Sequence, residues 1–274
     1  MFKLFLKYKY YLFSLIILLI IILGIWFLCF KKVNIEDSVF EDITFIGHGL
    51  YGIDGKDYSN SLESLELGYN NGIRVMEADF LFTSDGSIVL NHYWEFSFIE
   101  SYREFLDKKI LDKYTSMDIY DLLKCMEKYN DLYIIIDTKE DEYCNKTALD
   151  IIEKIVEITK EYDEKLLDRF IVQIYNSENY KEIMNIYNFK NKLVTVYKMN
   201  PLNVFYITYY CLINNIDTIV IPLWYIDDGI INEKYIRFIK SKNIKIFVHT
   251  VNDRDIYNNL LDMGIDGVYT DSLS

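Results

Sequence analysis

The hydrophobic pattern of the first thirty residues differs from that of the rest of the chain. Tyr11 to Phe30 is an almost uninterrupted run of Leu, Ile, Phe and Trp, with lysines on both sides of it. About twenty apolar residues are enough for a helix to cross a bilayer. No face of the run is polar, which argues against a helix packed on the core of a soluble protein. The pattern predicts a transmembrane helix within residues 1–32.

The flanking residues predict how this helix is used. Residues 1–40 contain no Ala, so the small-residue cleavage site of a secretory signal peptide is missing. Lys3, Lys7 and Lys9 precede the apolar run, whereas Lys31 and Lys32 follow it. The positive-inside rule then favours a cytoplasmic amino terminus. We expect an uncleaved, single-pass anchor in the cell membrane with an extracytoplasmic body.

Beyond residues 33–41, which we expect to be a short polar tether, apolar runs suited to strands alternate with helical patterns. The predicted strands are Ile43–Gly47, Ile73–Asp79, Leu132–Asp137, Phe170–Ile174, Leu193–Tyr197, Thr218–Pro222, Ile244–His249 and Gly267–Thr270. The predicted helices are Leu62–Asn70, Met117–Tyr129, Ala148–Tyr162, Tyr180–Tyr187, Glu233–Lys242 and Ile256–Met263. Continuous apolar strands separated by helices indicate a parallel sheet. The spacing predicts an α/β fold, a (β/α)₈ TIM barrel over residues 42–274. Ile88–Leu90 is a further short strand candidate, so the count could differ by one.

Carboxylates follow two of these strands. Glu77 and Asp79 stand at positions i and i+2, so on a strand both side chains point to the same side. Asp137 ends the apolar run Tyr133–Ile136 and offers a third carboxylate. Hard oxygen ligands of this kind suit a divalent cation, Mg²⁺ or Ca²⁺, and ligand type alone does not separate the two. Lys139 could bind a phosphate oxygen as a point charge.

Two of the three histidines, His48 and His92, lie on either side of the carboxylate pair in the sequence. A histidine in such a position could transfer protons near neutral pH. In a TIM barrel the active site gathers at the carboxyl ends of the strands. The side chains predicted to lie there are His48, Glu77, Asp79, Asp137, Lys139, Gln173, Lys198, Trp224, His249 and Asn252.

These residues carry a resemblance to a known superfamily. His48, Asn60-Ser61-Leu62-Glu63, Glu77-x-Asp79, Thr83-Ser84-Asp85-Gly86 and His92, with Thr250-Val251-Asn252-Asp253 and Gly264 to Asp271, stand in its order. The pattern resembles the glycerophosphodiester phosphodiesterase superfamily, which shares its barrel with phosphatidylinositol-specific phospholipase C. The resemblance implies a metal-dependent phosphodiesterase with His48 and His92 as the acid–base pair, and a cyclic phosphate that can form and then be hydrolysed. It leaves open which histidine is the base.

The sequence departs from the usual pattern at several positions. Gly49 follows the first histidine, where the family usually has Arg. Ser59-Asn60-Ser61 stands where the family usually has Glu-Asn-Thr, so one metal carboxylate is missing. Asn60 could still ligate through its amide oxygen or hold phosphate. The resulting three-carboxylate site is similar to that of the sphingomyelinase D branch. His249 stands where many relatives have Trp, and we expect it, with Trp224 and Asn252, to line the substrate pocket.

Charge narrows the choice of partners. The net charge is −13, and because residues 1–32 contain only basic charges, residues 33–274 carry 42 acidic and 24 basic side chains, a net charge of −18. Non-specific nucleic-acid binding requires a basic surface, so this class is excluded. The four cysteines show neither zinc nor disulfide spacing. Nothing in the sequence indicates a protein partner.

The sequence therefore predicts a membrane-anchored phosphodiester hydrolase acting on a glycerophosphodiester or a related lipid-derived diester. One alternative is a sphingomyelinase-D-like phospholipase that forms a cyclic phosphate. Another is a non-catalytic barrel that only binds phosphodiesters, against which both histidines and all three carboxylates argue.

Overall fold

The computed structural model describes residues 2–92, 100–139, 147–196 and 203–274. Eight parallel strands form the central sheet, and the first strand pairs with both the second and the last, which closes the barrel. The barrel strands are β1 (Phe45–Gly47), β2 (Val75–Phe82), β6 (Tyr133–Thr138), β7 (Phe170–Ile174), β8 (Asn191–Thr195), β9 (Thr218–Pro222), β10 (Lys245–His249) and β11 (Gly267–Thr270). The predicted TIM barrel is confirmed.

The short strand Ile88–Leu90, labelled β3, does not enlarge the barrel. It pairs antiparallel with Phe80–Phe82 at the end of β2, beyond the level at which β1 pairs with Val75 and Met76 of the same strand. A small ribbon of β4 (Lys109–Ile110) and β5 (Tyr114–Thr115) stands apart.

Apart from the first, which precedes the barrel, the helices surround the barrel and connect its strands. Their bounds are α1 (Phe2–Phe30), α2 (Leu62–Asn70), α3 (Tyr102–Asp107), α4 (Ile119–Lys128), α5 (Ala148–Asp163), α6 (Ser177–Ile186), α7 (Asn203–Asn214), α8 (Trp224–Asp227), α9 (Glu233–Lys240) and α10 (Arg254–Asp262), with 3-10 turns at His48–Leu50 and Glu164–Arg169. Several begin at a side chain that accepts a hydrogen bond from the first helical turn: Ser61, Asp118, Thr147, Asn176 and Asp253. Such caps satisfy backbone donors that a helix leaves unpaired, and so fix where the helix starts.

Phe40 fills the amino-terminal end of the barrel. It is buried and packs on Phe247, with 5.7 Å between the ring centroids. The interior layer around it consists of Ile46, Val75, Ile135, Ile171, Leu193, Val220, Phe247 and Tyr269. Large side chains at this level make the barrel interior a packed core, and not a pore.

The segment 33–41, expected to be a tether, contacts the barrel through its two buried apolar residues, Val33 and Phe40. Val33 is buried and its N–H donates to the carbonyl of Lys242 at 2.9 Å. The Lys242 ammonium in turn donates to the carbonyl of Cys29 at 2.9 Å. Burial of Val33 and Phe40 favours this contact. The division into anchor, tether and barrel stays a prediction.

Helix α1 lies almost wholly outside the barrel. Tyr8–Phe27 is long and apolar enough to span a membrane, and none of that window is buried. Phe27, the last residue of this window, packs edge-on against Tyr209 of α7, with ring centroids 5.6 Å apart. A signal sequence would meet the same criterion of length and composition.

Candidate active site

The predicted chemistry gathers at the carboxyl ends of the barrel strands. Glu77 and Asp79 come from β2, Asp137 from the neighbouring β6, and Asp79 pairs with Asp137 in the register of the two strands. A cavity of about 330 Å³ opens there. It is lined by His48, Tyr58, Glu77, His92, Asp137, Lys139, Gln173, Val220, His249 and Tyr269.

The three carboxylates form one buried cluster. Ligand oxygens of Glu77, Asp79 and Asp137 all lie within 4.8 Å of one another. Burial, followed by repulsion from Asp137, raises the pKa of Glu77 well above its usual range. Burial also raises the pKa of Asp79. Three buried carboxyl oxygens that repel one another require positive charge, so the donor set fits a hard divalent cation.

Lys139 supplies one such charge from the protein itself. Its Nζ lies 3.0 Å from Asp79 Oδ1 and 2.5 Å from Asp137 Oδ2. Burial favours the neutral amine, but the neighbouring carboxylates outweigh it and raise the pKa of Lys139. The lysine therefore stays protonated at the edge of the cluster, facing the cavity.

His48 is held in place by a carboxylate from the other end of the chain. It leaves β1 in a 3-10 turn, and its Nδ1 lies 2.9 Å from Asp271 Oδ1. Asn252 holds Asp271 in turn, because its Nδ2 donates to Asp271 Oδ2 at 2.7 Å and its Oδ1 accepts from the Asp271 N–H. The other imidazole nitrogen, Nε2, lies 3.8 Å from Glu77 Oε2. A donor Nδ1–H toward Asp271 fixes the tautomer and turns Nε2 toward the cavity.

Tyr58 lies between the two histidines. Its ring centroid is 4.3 Å from that of His48 and 4.0 Å from that of His92. Burial lowers the pKa of His92, although the charge of Asp79 opposes the shift. Burial also raises the pKa of Tyr58 to about 12, so the phenol stays neutral. The histidines thus share one wall of the cavity.

Gly49 explains a departure noted in the sequence. Its φ is +51°, and a Cβ there would lie 2.7 Å from the Cα of Tyr58. A side chain at this position would both strain the backbone and displace the loop that carries Tyr58. The Arg usual at this position therefore has no room beside His48 in this chain.

The remaining predicted substrate residues lie in different places. Asn60 is fully buried, and its amide donates to Asp79 Oδ2 at 2.7 Å and accepts from the Asp79 N–H at 3.0 Å. Asn252 orients Asp271, as described above.

Trp224 begins α8, is 47 % exposed and does not line the cavity. His249 does line it, and burial lowers its pKa to about 4. Lys198 lies outside the described residues.

Sequence reasoning did not assign a site role to Asp271, Tyr58 or Tyr269. Asp271 was visible as the end of the Gly-Val-Tyr-Thr-Asp run, a carboxylate following a strand, by the same criterion that selected Asp137. Tyr58 comes from a loop, where no periodicity indicates the direction of a side chain.

Residues 106–274 match the glycerophosphoryl diester phosphodiesterase family. No curated protein matches the sequence.

Solved structures with a similar fold include glycerophosphodiester phosphodiesterases and a related phosphodiesterase. A glycerophosphodiester phosphodiesterase from Parabacteroides distasonis is 18 % identical with a TM-score of 0.64, over 83 % of this chain and 92 % of that one. One from Thermotoga maritima is 20 % identical with a TM-score of 0.62, over 84 % and 95 %. An Oleispira antarctica phosphodiesterase in complex with the product sn-glycerol-3-phosphate is 17 % identical with a TM-score of 0.65, over 84 % and 93 %.

Proposed function

Since the chain belongs to the glycerophosphoryl diester phosphodiesterase family and is a phosphoric diester hydrolase, we propose that it is a membrane-anchored, divalent-cation-dependent enzyme for glycerophosphodiesters or a related lipid-derived diester. The observation that carries this proposal is the cavity that brings two histidines within reach of three buried carboxylates. Helix α1 would be the anchor, with the barrel outside the cytoplasm.

Glu77, Asp79 and Asp137 would hold the cation, Mg²⁺ or Ca²⁺. When bound, it would stabilise negative charge on the phosphoryl oxygens and lower the pKa of the attacking hydroxyl. Asn60 would act as a positioning residue, because both ends of its amide hold Asp79. Lys139 faces the cavity and would contact a phosphoryl oxygen directly.

The histidines would move the protons. His48 Nε2 would accept the proton of the substrate hydroxyl as its oxygen attacks phosphorus, because Asp271 keeps the tautomer in which this nitrogen is free of hydrogen. As the bond from phosphorus to the departing alcohol oxygen breaks, His92 would give that oxygen a proton. A cyclic phosphate results, and water would open it with the two roles exchanged.

The missing fourth carboxylate favours a second candidate, a sphingomyelinase-D-like phospholipase that stops at the cyclic phosphate. With Ser59 in the place of the usual Glu, the cluster contains three acids and resembles that branch. The family assignment argues against the third possibility, a barrel that binds without turnover.

The test uses the full chain in lipid nanodiscs with a panel of glycerophosphodiesters and lysophospholipids, followed by ³¹P NMR. We expect turnover with Mg²⁺ or Ca²⁺ that is lost with EDTA and in His48→Asn, His92→Asn and Glu77→Gln variants. Glu161→Gln, an exposed position on α5, is the matched control and should retain activity. A linear monophosphate product supports the first candidate, and a persistent cyclic phosphate the second. Cation-independent turnover would contradict the proposed site.

A further inference from the structure

Helix α7 differs from the other wall helices in having no charged residue. Its sequence, from Asn203 to Asn214, is NVFYITYYCLIN, although 26 % of the whole chain is charged. Helix α9, by contrast, is amphipathic and exposes Lys234, Arg237 and Lys240. A wall helix in contact with water normally carries polar and charged side chains on its outer face.

The outer face of α7 is apolar and aromatic. Large side chains are exposed there, with Phe205 at 48 %, Tyr206 at 56 %, Tyr209 at 41 % and Ile213 at 52 %. Contiguous exposed apolar surface of this kind commonly marks a membrane or protein contact. Tyr in particular is enriched at the level of lipid headgroups, where its ring is apolar and its hydroxyl is hydrated.

The position of α1 identifies the partner as lipid. Phe27, the last residue of the candidate span, packs on Tyr209 in the middle of this face. Only residues 28–32 separate Phe27 from Val33, which is already buried in the barrel. The hydrogen bond from Lys242 to the carbonyl of Cys29 fixes the same junction. The apolar face is therefore continuous with the surface of the spanning helix.

We propose that the outer face of α7, formed by Phe205, Tyr206, Tyr209 and Ile213, lies on the bilayer surface and holds the barrel with its wall against the membrane. This rests on the proposed anchoring by α1 and goes beyond it, because an anchor alone leaves the orientation of the barrel open. The barrel body has a net charge of −18, so contact with the membrane depends on these uncharged side chains.

This orientation has a consequence for the substrate. Helix α7 follows the carboxyl end of β8, so it runs from the mouth of the barrel toward the opposite end. Twelve helical residues extend for about 18 Å. A bilayer along this face therefore reaches the level of the mouth. The cavity would open beside the headgroup layer, where a diester attached to an acyl chain is presented.

The experiment measures the depth of single labels on the full chain in nanodiscs containing spin-labelled lipids. An environment-sensitive fluorophore is attached to Tyr206→Cys or Ile213→Cys on the α7 face, in a background with Cys29 and Cys144 replaced by Ser. Leu67→Cys is the matched control, because α2 lies on the opposite side of the barrel and Leu67 is 39 % exposed, close to the exposure of Tyr209. Leu19→Cys reports on the span itself.

We expect quenching by shallow spin labels and a blue shift at the two α7 positions, deep quenching at Leu19, and neither at Leu67. Deep quenching at Leu19 with water-exposed signals at Tyr206 and Ile213 would overturn the docking of α7 while leaving the anchor intact. A water-exposed signal at Leu19 would refute the anchor, and the docking with it. Circular dichroism of each labelled variant checks that the barrel is folded.

Discussion

The link between Asp271 and His48 provides a sharp test of the proposed chemistry. Asp271→Asn preserves the shape of the side chain but removes the charge that faces His48 Nδ1 at 2.9 Å. The amide can present its NH₂ group to the ring and so favour the tautomer in which Nε2 carries the hydrogen. His48 would then lose its ability to accept the substrate proton through Nε2.

The size of the effect follows from the burial of the pair. Their side chains are only 8 % and 10 % exposed, so solvent screens the interaction little. A hydrogen bond to a charged partner contributes about 1.5–3 kcal/mol. If that stabilisation is lost when His48 becomes positively charged in the transition state, kcat falls about 10- to 150-fold.

The assay measures kcat and KM separately by continuous release of the alcohol product. We expect KM to change little, because Asp271 acts through His48 and would not itself contact the substrate. Asp262→Asn, an exposed acid on α10, is the matched control and should keep the parent kcat. A kcat within twofold of the parent in the Asp271 variant, with an unchanged unfolding temperature, would refute the orienting role.

Three further predictions concern the same cavity. Gly49→Ala should lower the free energy of unfolding by about 1–3 kcal/mol and reduce activity, because it forces a side chain into a left-handed conformation against Tyr58; denaturant unfolding and kcat measure this. Lys139→Met should destabilise the cation-free protein by about 3 kcal/mol, since buried carboxylates lose their counter-charge, and Mg²⁺ should restore part of the loss in thermal unfolding. His249 has a folded-state pKa of about 4 against a usual 6.5, so the unfolded chain binds the proton more tightly. The free energy of unfolding should therefore fall by up to about 3 kcal/mol as the pH drops from about 6.5 to 4. His249→Phe should flatten this part of the plot of unfolding free energy against pH.

The first two of these predictions have a control variant in the chain. Gly86 has a positive φ but open space around its Cα, so Gly86→Ala should show only the backbone strain. Lys128 pairs with Glu66 at an exposed site, where its side chain is 60 % exposed and water screens the pair, so Lys128→Met should change stability much less than Lys139→Met. An unchanged pH profile in His249→Phe would mean that other groups control acid stability.

The barrel could be predicted from sequence because its strands are continuous apolar runs. Phe170–Ile174, Thr218–Pro222 and Gly267–Thr270 were predicted with their observed bounds. Strand β8 was predicted two residues late because it begins with the polar residues Asn191 and Lys192, which lie at the rim of the barrel. Helix α7 was missed because its sequence has no polar face from which helical periodicity could be recognised.

The acidic cluster could also be predicted, whereas its supporting residues could not. Glu77 and Asp79 share a strand, so alternation alone places them together. His48 and Asp271 are separated by 223 residues, and only closure of the barrel brings β11 beside β1. Asn252 illustrates the same limit: its position after a strand was visible, but its partner Asp271 depends on how two loops meet.

The negative net charge of the barrel affects both substrate binding at its mouth and contact with the membrane. The barrel body, with its net charge of −18, is repelled by an anionic membrane and by an anionic phosphodiester alike. At the mouth, Lys139 and a bound cation would offset this repulsion locally, where the phosphoryl group must sit. At the membrane, a covalent anchor and an uncharged helix face would remove the need for electrostatic attraction. Turnover of a lipid-presented diester should therefore not increase when anionic lipid is added to the nanodisc, as it would for an enzyme that is recruited by a basic surface.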